Sequence, residues 1–322
     1  MKTLFLTHND LDACGSIIVA NLFSLKIDEF KFCNYDDLYD ENNDKVILRL
    51  ADETYDRIFV VDIGCNKNMY DYLTSKTGTL GIFDHHKMTK EIETESGIYF
   101  DLKASGTEIF YDALKSSSEN GVPEKWNQFV KIVSAYDLWL LDSPFRSTAE
   151  DLNRVYFGVL NYGSKGTYNM YRFFIESQVQ KLLDKNLEEF YFTEWEHQKI
   201  ANAKEKEYKE YTSAVSNMQK KVDNNGIMYI IYHGSSKISH VCSELLKNNK
   251  DVQYVLNFNT YTGSRKKRIT GKVSARSRVG FDVTTLNGIH GHVEAGGGSF
   301  KEALLKRIWY YANVHLNYKE EI

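Results

Sequence analysis

The sequence predicts an α/β protein, with an N-terminal domain on a parallel sheet, a long linker helix and a smaller C-terminal α/β domain. Three observations carry this. Short apolar runs alternate with helical segments through the N-terminal part, the pattern of strand–helix–strand crossovers. Residues 184–222 contain neither proline nor glycine and are rich in charge. A second series of strand-like and helical runs follows. The boundaries fall at 1–183, 184–223 and 224–322.

Residues 2–7 read as the first strand, followed by a loop holding Asp10 and Asp12 and a buried helix from Gly15 to Ser24. Alternation marks a second strand from Glu29 to Tyr35. Residues 36–56 are polar and acidic, with one helix. Residues 57–62 form a third strand, 68–76 a helix and 79–83 a fourth strand. The pattern then turns helical, with Thr107–Lys115 capped by Ser105 or Thr107, Trp126–Ala135 leading to Asp137, and a helix opened by Ser147 or Thr148. In the linker, apolar residues recur at Leu187, Phe190, Tyr191 and Trp195, slip at Ile200, and resume at Tyr208, Tyr211, Val215, Met218 and Val222. That stripe predicts a helix, and Asp223-Asn224-Asn225-Gly226 ends it as a C-terminal cap. Beyond lie a strand from Ile227 to Tyr232, a helix capped by Ser235 or Ser236 and running to Leu246, and a strand from Asp251 to Thr260. A turn at Tyr261–Ser264, a returning strand from Arg265 to Ser277 and a helix from Phe300 to Asn313 complete the chain.

The chain has 322 residues, 42% hydrophobic and 26% charged, with a net charge of −4. That composition excludes a disordered protein. No apolar run reaches membrane-spanning length and no secretory h-region is present, so a cytoplasmic protein with no membrane partner is expected. The cysteines Cys14, Cys33, Cys65 and Cys242 form no C-x-x-C pair, which argues against a zinc ribbon or a redox motif. Residues 224–322 hold 14 Lys and Arg against 7 Asp and Glu, so the rest of the chain is strongly acidic. An acidic part suits metal ions and a basic part suits phosphates.

Three strand-like runs end in Asp or His. Leu4–Thr7 runs into His8-Asn9-Asp10-Leu11-Asp12, Ile58–Val61 into Asp62, and Gly81–Phe83 into Asp84-His85-His86. One Asp after a strand is ordinarily a turn former or helix cap. Three such events point to one site at the carboxyl edge of a parallel sheet, and clustered carboxylates need a cation to neutralise them. His8, Asp10, Asp12, Asp62, His85 and Asp137 offer oxygen and nitrogen without sulfur, a set for hard or borderline divalent ions.

These motifs resemble those of the DHH-type phosphoesterases. His8-x-Asp10-x-Asp12 resembles the first motif, Asp62 the second, Asp84-His85-His86 the third and Asp137 the fourth. Gly291-His292-Val293-Glu294-Ala295-Gly296-Gly297 resembles the glycine-histidine motif of the DHH-associated domain. Lys272–Ser277, with Ser274, Arg276 and Ser277, resembles its serine-arginine-serine segment. The short first motif is similar to that of the nanoRNase branch, which also includes cyclic-nucleotide phosphodiesterase-like members.

The resemblance implies two divalent ions, manganese by preference and magnesium second. His8 and Asp10 hold one, Asp12, His85 and Asp137 hold the other, and Asp62 bridges. His86 then faces the substrate phosphate and Asp84 orients a histidine, so His86, Asp84 and Asp62 are the catalytic candidates. Ser274, Arg276, Ser277, Gly291, His292, Gly296 and Gly297 are the substrate-binding candidates. Arginine binds phosphate oxygens in pairs, and the glycine run is expected to cradle an anion with exposed amides. The expected substrate is short single-stranded RNA or a nucleotide, cut to nucleoside monophosphates. A cyclic (di)nucleotide or 3′-phosphoadenosine-5′-phosphate phosphoesterase and a RecJ-like exonuclease are the rivals within enzymes, and a non-catalytic nucleotide- or RNA-binding protein is the rival outside them. A homodimer is a further expectation.

Overall fold

The computed structural model describes residues 1–39, 46–48, 50, 54–118, 121–160, 167–234, 237–262, 269–286, 288–291 and 293–300. The chain forms two compact units that divide between Ile200 and Ala201.

The first unit carries the predicted parallel sheet. Its elements are β1 (Thr3–Thr7), α1 (Leu11–Leu22), β2 (Glu29–Phe32), α2 (Tyr35–Leu38), β3 (Arg57–Val61), α3 (Lys67–Thr74), β4 (Leu80–Asp84), α4 (Lys87–Lys90) and β5 (Ile98–Phe100). The helices α5 (Gly106–Ser116), α6 (Glu124–Asp137), α7 (Arg146–Leu160) and α8 (Thr167–Leu183) follow. The strands lie in the order β2-β1-β3-β4-β5, every pair parallel. Phe5, Val61 and Phe83 face a core shared with α1 and α5 to α8. Leu4, Leu6, Ile58, Val60 and Ile82 face the opposite core with Met69 and Leu73 of α3. A strand buried on both faces must be apolar throughout, which is why these runs show no polar alternation. The sheet order reverses between β1 and β3, and the carboxyl ends of strands at such a switch point are where open α/β sheets bind ligands.

Across the boundary runs α9 (Glu194–Asn217). The second unit adds β6 (Gln219–Val222), β7 (Met228–His233), α10 (Ile238–Asn248), β8 (Tyr254–Thr262), β9 (Ile269–Ser277), a short 3-10 turn at Val283–Thr285, β10 (His290–Gly291) and β11 (Ala295–Phe300). Its sheet order is β10-β11-β9-β8-β7-β6. Only the β7–β8 pair is parallel, and α10 supplies the crossover. One face packs on α10 through Ile230, Tyr232 and Val255. The other packs Tyr254, Phe258, Val273 and Ala275 against Val283 and Ile289.

The linker helix is shorter than the 184–223 expected. Residues 184–193 bind to α6 instead of continuing a helical ladder. Lys125 Nζ donates to the carbonyls of Asp184 and Leu187, the latter at 2.9 Å, and the Gln128 side chain accepts the Phe190 N–H at 3.0 Å. Phe190 and Phe192 are apolar because they pack on the main core. At the other end, Val222 sits in β6, which pairs with β7. Asp223–Gly226 is the turn of that hairpin and not a helix cap: Asp223 N–H donates to Ile227 O at 2.9 Å, and Gly226 takes φ +78°. The α8 helix and the strands β5, β10 and β11 add to the expected elements. Ser235, Ser236, the 263–268 turn and most of the Phe300–Asn313 helix lie outside the described residues; Phe300 itself ends β11. Among the described residues, no helix is long and apolar enough to cross a membrane.

Candidate functional site

Asp10 ends the loop after β1 and caps α1, its Oδ1 accepting the Ala13 N–H at 3.0 Å. The helix starts at Leu11, so Asp12 lies inside its first turn and not in a loop. Asp62 follows β3, Asp84 ends β4, and His85 and His86 follow it. Asp137 is the last residue of α6.

The structure brings these residues together in three overlapping groups. They are His8, Asp10 and Asp62; Asp12, His85 and Asp137; and Asp62, Asp84, His85 and His86. Within each group the candidate ligand atoms lie within 4.8 Å of one another. His8 Nδ1 is 2.7 Å from Asp10 Oδ2. His85 Nε2 lies 3.3 Å from Asp62 Oδ1 and 3.3 Å from Asp137 Oδ2. Asp62 thus belongs to the first group and touches the second through His85.

Asp12 and Asp62 are buried, and the Oδ2 atom of each has no hydrogen-bond partner. A buried carboxylate oxygen without a partner is costly. Burial, reinforced by Asp10, pushes the Asp12 carboxyl up to about 6. Burial and the surrounding carboxylates push Asp62 and Asp137 up as well. Burial opposes ionisation of Asp10 too, but the His8 hydrogen bond and charge hold it down to about 2. Orphaned oxygens, mutual repulsion and two imidazoles without sulfur fit divalent cations. The cluster can hold metal ions.

His86 stands apart in its bonding. Its Nδ1 lies 2.7 Å from Asp84 Oδ1, and the buried Asp84 is itself held by the His86 N–H and the Thr89 hydroxyl. These bonds and the His86 charge keep Asp84 below the usual carboxylate range although burial works the other way. Asp84 therefore fixes the tautomer and orientation of His86. Cys14 and Cys65 are fully buried.

The sequence did not single out the residues that hold this cluster in shape. Thr107 N–H donates to Asp12 Oδ1 at 3.1 Å, and Thr107 Oγ1 donates to the Asp12 carbonyl at 2.6 Å. Tyr156 Oη donates to the Asn9 carbonyl at 2.6 Å, pinning the loop between His8 and Asp10. Arg146 lies over the Trp139 ring at 4.2 Å and donates to the Ala135 carbonyl at 3.2 Å, closing the end of α6 beside Asp137. Asp62 adopts φ +59°, a left-handed conformation that costs about 1–3 kcal/mol outside glycine and that Asp tolerates better than most.

Gly106 explains how that conformation is accommodated. A Cβ there would meet Asp62 Cβ at 2.7 Å and its Cα and N at 2.9 Å. Two of those atoms are backbone and cannot swing away. Gly106→Ala is expected to destabilise the protein by about 1–3 kcal/mol, although Ala is the better helix former, and to weaken metal binding by displacing Asp62. Thermal melts and a manganese titration of the variant check both effects.

In the second unit, Ser274 and Arg276 lie on one face of β9 and Ser277 on the other. Ser277 is fully buried and donates to the Phe281 carbonyl at 2.6 Å, so its hydroxyl serves the turn after β9. Arg276 Nη2 donates to Ser239 Oγ at 3.0 Å. Gly296 and Gly297 lie in β11 and pair with Ala275 and Ser274 of β9. They are strand residues and not the open amide cradle expected. Close packing explains Gly296, where a Cβ would meet Ile289 Cγ2 at 2.5 Å. Gly291 needs its glycine for φ +128°. His292 lies outside the described residues.

Neither a protein-family model nor a curated protein matches the sequence. Solved structures share its fold. The DHH domain of a protein described as a member of a ribosomal-protein family aligns with a TM-score of 0.61 and 11% identity over 98% of this chain and 87% of that one. A pGpG-specific phosphodiesterase from Vibrio cholerae aligns with a TM-score of 0.56 and 14% identity over 98% and 99%. An exopolyphosphatase-related protein from Bacteroides fragilis aligns with a TM-score of 0.51 and 17% identity over 99% and 92%. At these identities the likeness establishes the fold.

Proposed function

We propose that this chain is a two-metal phosphodiesterase that hydrolyses short oligoribonucleotides to nucleoside monophosphates. The observation that carries the proposal is the convergence of His8, Asp10, Asp12, Asp62, His85 and Asp137, with orphaned oxygens on Asp12 and Asp62. His8, Asp10 and Asp62 would hold one ion, and Asp12, His85 and Asp137 the other, with Asp62 between them. When bound, the ions supply a water nucleophile at neutral pH and offset the charge of the phosphate. Manganese is the preferred ion on the DHH resemblance.

The remaining chemistry belongs to the chain. Asp84 holds His86 by Nδ1, which directs Nε2 to the substrate. An imidazolium there donates a hydrogen bond to the phosphate oxygen as charge develops. Arg276 and Ser274 of the second unit are assigned to substrate phosphate. A small substrate suits the likeness to a protein named for pGpG, and the DHH fold likeness supports phosphoester chemistry.

The test is hydrolysis of labelled RNA from dimers to twenty-mers, with manganese, magnesium or chelator. Metal-dependent loss of the shortest species is expected. Equal attack on every length would replace the proposal with a RecJ-like exonuclease. Cleavage of cyclic dinucleotides or 3′-phosphoadenosine-5′-phosphate alone would keep the site and change the substrate. No hydrolysis of any of these would leave a binding protein.

A further inference from the structure

On the face of the second sheet that carries Arg276, one cross-strand row remains unused by the fold. Tyr232 of β7 pairs with Asn257 of β8, Asn257 with Ser274 of β9, and Ser274 with Gly297 of β11. Residues opposite one another in register share a face. Asn257 is fully buried. Its Oδ1 accepts from Asn259 Nδ2 at 3.0 Å, but its Nδ2 has no hydrogen-bond partner. Buried amide donors nearly always have one. Asn is also a poor strand former, and the flanking Val255 and Phe258 are buried and apolar. A leucine would pack at this position without leaving a donor unmet.

The chemistry around the donor has one sign. Arg276 lies one rung to one side of this row, and Lys272 one rung to the other. Burial falls along the same direction, from the buried Asn257 to the half-buried Asn259 and the exposed Lys272, so the row opens towards the Lys272 end. Opposite Ser274, Gly297 contributes no side chain, and a Cβ built there would touch only the Val273 carbonyl at 3.3 Å. Two cations and an amide N–H pair all seek oxygen acceptors carrying negative charge. A terminal phosphomonoester, with close to two charges at neutral pH, matches two cations better than an internal diester with one.

We infer that Asn257 is a specificity-determining residue which, with Arg276 and Lys272, seats the terminal phosphomonoester of the substrate and distinguishes a phosphorylated chain end from a hydroxyl end. The inference rests on the phosphodiesterase reading for the identity of the substrate, and it concerns binding only.

The experiment is calorimetric titration of the full chain in chelator, which prevents hydrolysis and leaves the metal cluster out of the measurement. The ligands are a dinucleotide with a 5′-phosphate, one with a 3′-phosphate, one with hydroxyl ends, and inorganic phosphate. At least one phosphorylated dinucleotide is expected to bind about ten-fold or more tighter than the hydroxyl form, the scale of a hydrogen bond to a charged group. Asn257→Leu keeps the shape, removes the donor, and is expected to erase most of that preference at an unchanged or higher melting temperature. Lys272→Ala, on the exposed rung, is expected to reduce it without touching the core. Equal binding of phosphate and hydroxyl ends by the unmodified protein, or no binding of either, overturns the inference and leaves Asn257 as the partner of a buried water. Retention of the full preference in Asn257→Leu overturns it as well. Inorganic phosphate binding as tightly as the phosphorylated dinucleotide would make the seat one for free phosphate and overturn the chain-end assignment. Failure of RNA hydrolysis alongside an intact end preference would remove the activity and leave this seat standing.

Discussion

Asp62→Asn abolishes hydrolysis and leaves the metal-free protein at least as stable as before; this is the expected result of the most informative substitution. Asp62 belongs to one ligand group and reaches His85 Nε2 of the other at 3.3 Å, so its loss weakens both. Changing a group that merely supports a metal ligand costs about 10–100-fold, and a residue shared by both ion sites should exceed that range. Asn suits the test better than Ala. It keeps the side-chain volume beside Gly106 and tolerates the left-handed φ of +59°, where Ala would add strain. The stability half follows from electrostatics. In the metal-free chain, burial, Asp10, Asp12 and Asp137 all oppose ionisation of Asp62, so neutralising it removes repulsion and not support. Activity assays with manganese and melts in chelator give the two readouts. Retained activity sinks the site assignment; lost activity together with a collapsed melt would make Asp62 a folding residue instead.

The parts of this site that were legible in the sequence are those the chain writes locally. A strand buried on both faces is a continuous apolar run, and the first polar residue after it marks the carboxyl edge. His8, Asp62 and Asp84 could therefore be placed from their neighbours alone. What holds them was not legible, because the contacts are distant along the chain. Thr107 meets Asp12 across 95 positions and Tyr156 meets Asn9 across 147. Ser105-Gly106-Thr107 reads correctly as a helix start, and Ser105 does cap α5. Nothing local announces that the same helix end must sit against the Asp62 backbone. The linker failed for a related reason. Phe190 and Val222 fall on a helical stripe, but one is apolar to fill the main core and the other stands in a strand whose partner follows a hairpin turn. Periodicity reports that a residue is apolar, and tertiary packing decides in which element. The glycine run misled likewise, since Gly296 is small to admit Ile289 and not to bare an amide.

Manganese should raise the melting temperature, and by more at about pH 8 than at about pH 5. Burial and Asp10 raise the Asp12 carboxyl from 3.8 to about 6 in the folded, metal-free chain, and Asp62 and Asp137 move the same way. A carboxyl whose folded value is raised contributes stability that is fully present below its unfolded value and is lost as pH climbs through the folded one. For Asp12 that loss runs from about pH 4 to about pH 6 and amounts to about 3 kcal/mol. Asp10 and Asp84 are lowered, so their contribution is lost only below about pH 4 and does not enter the comparison. The metal-free protein is therefore weakest where its carboxylates are ionised, the state that divalent ions require. At a hundred times its dissociation constant an ion adds about 2.7 kcal/mol, or about 5–10 °C for a unit of this size. Protons compete for the same oxygens at the lower pH and shrink the gain. Melts in chelator and in manganese at both pH values separate the components. A metal-free stability that stays level between them would mean that the repulsion in the cluster is already relieved within the protein. A manganese shift of equal size at both would mean that the ions bind somewhere other than these carboxylates.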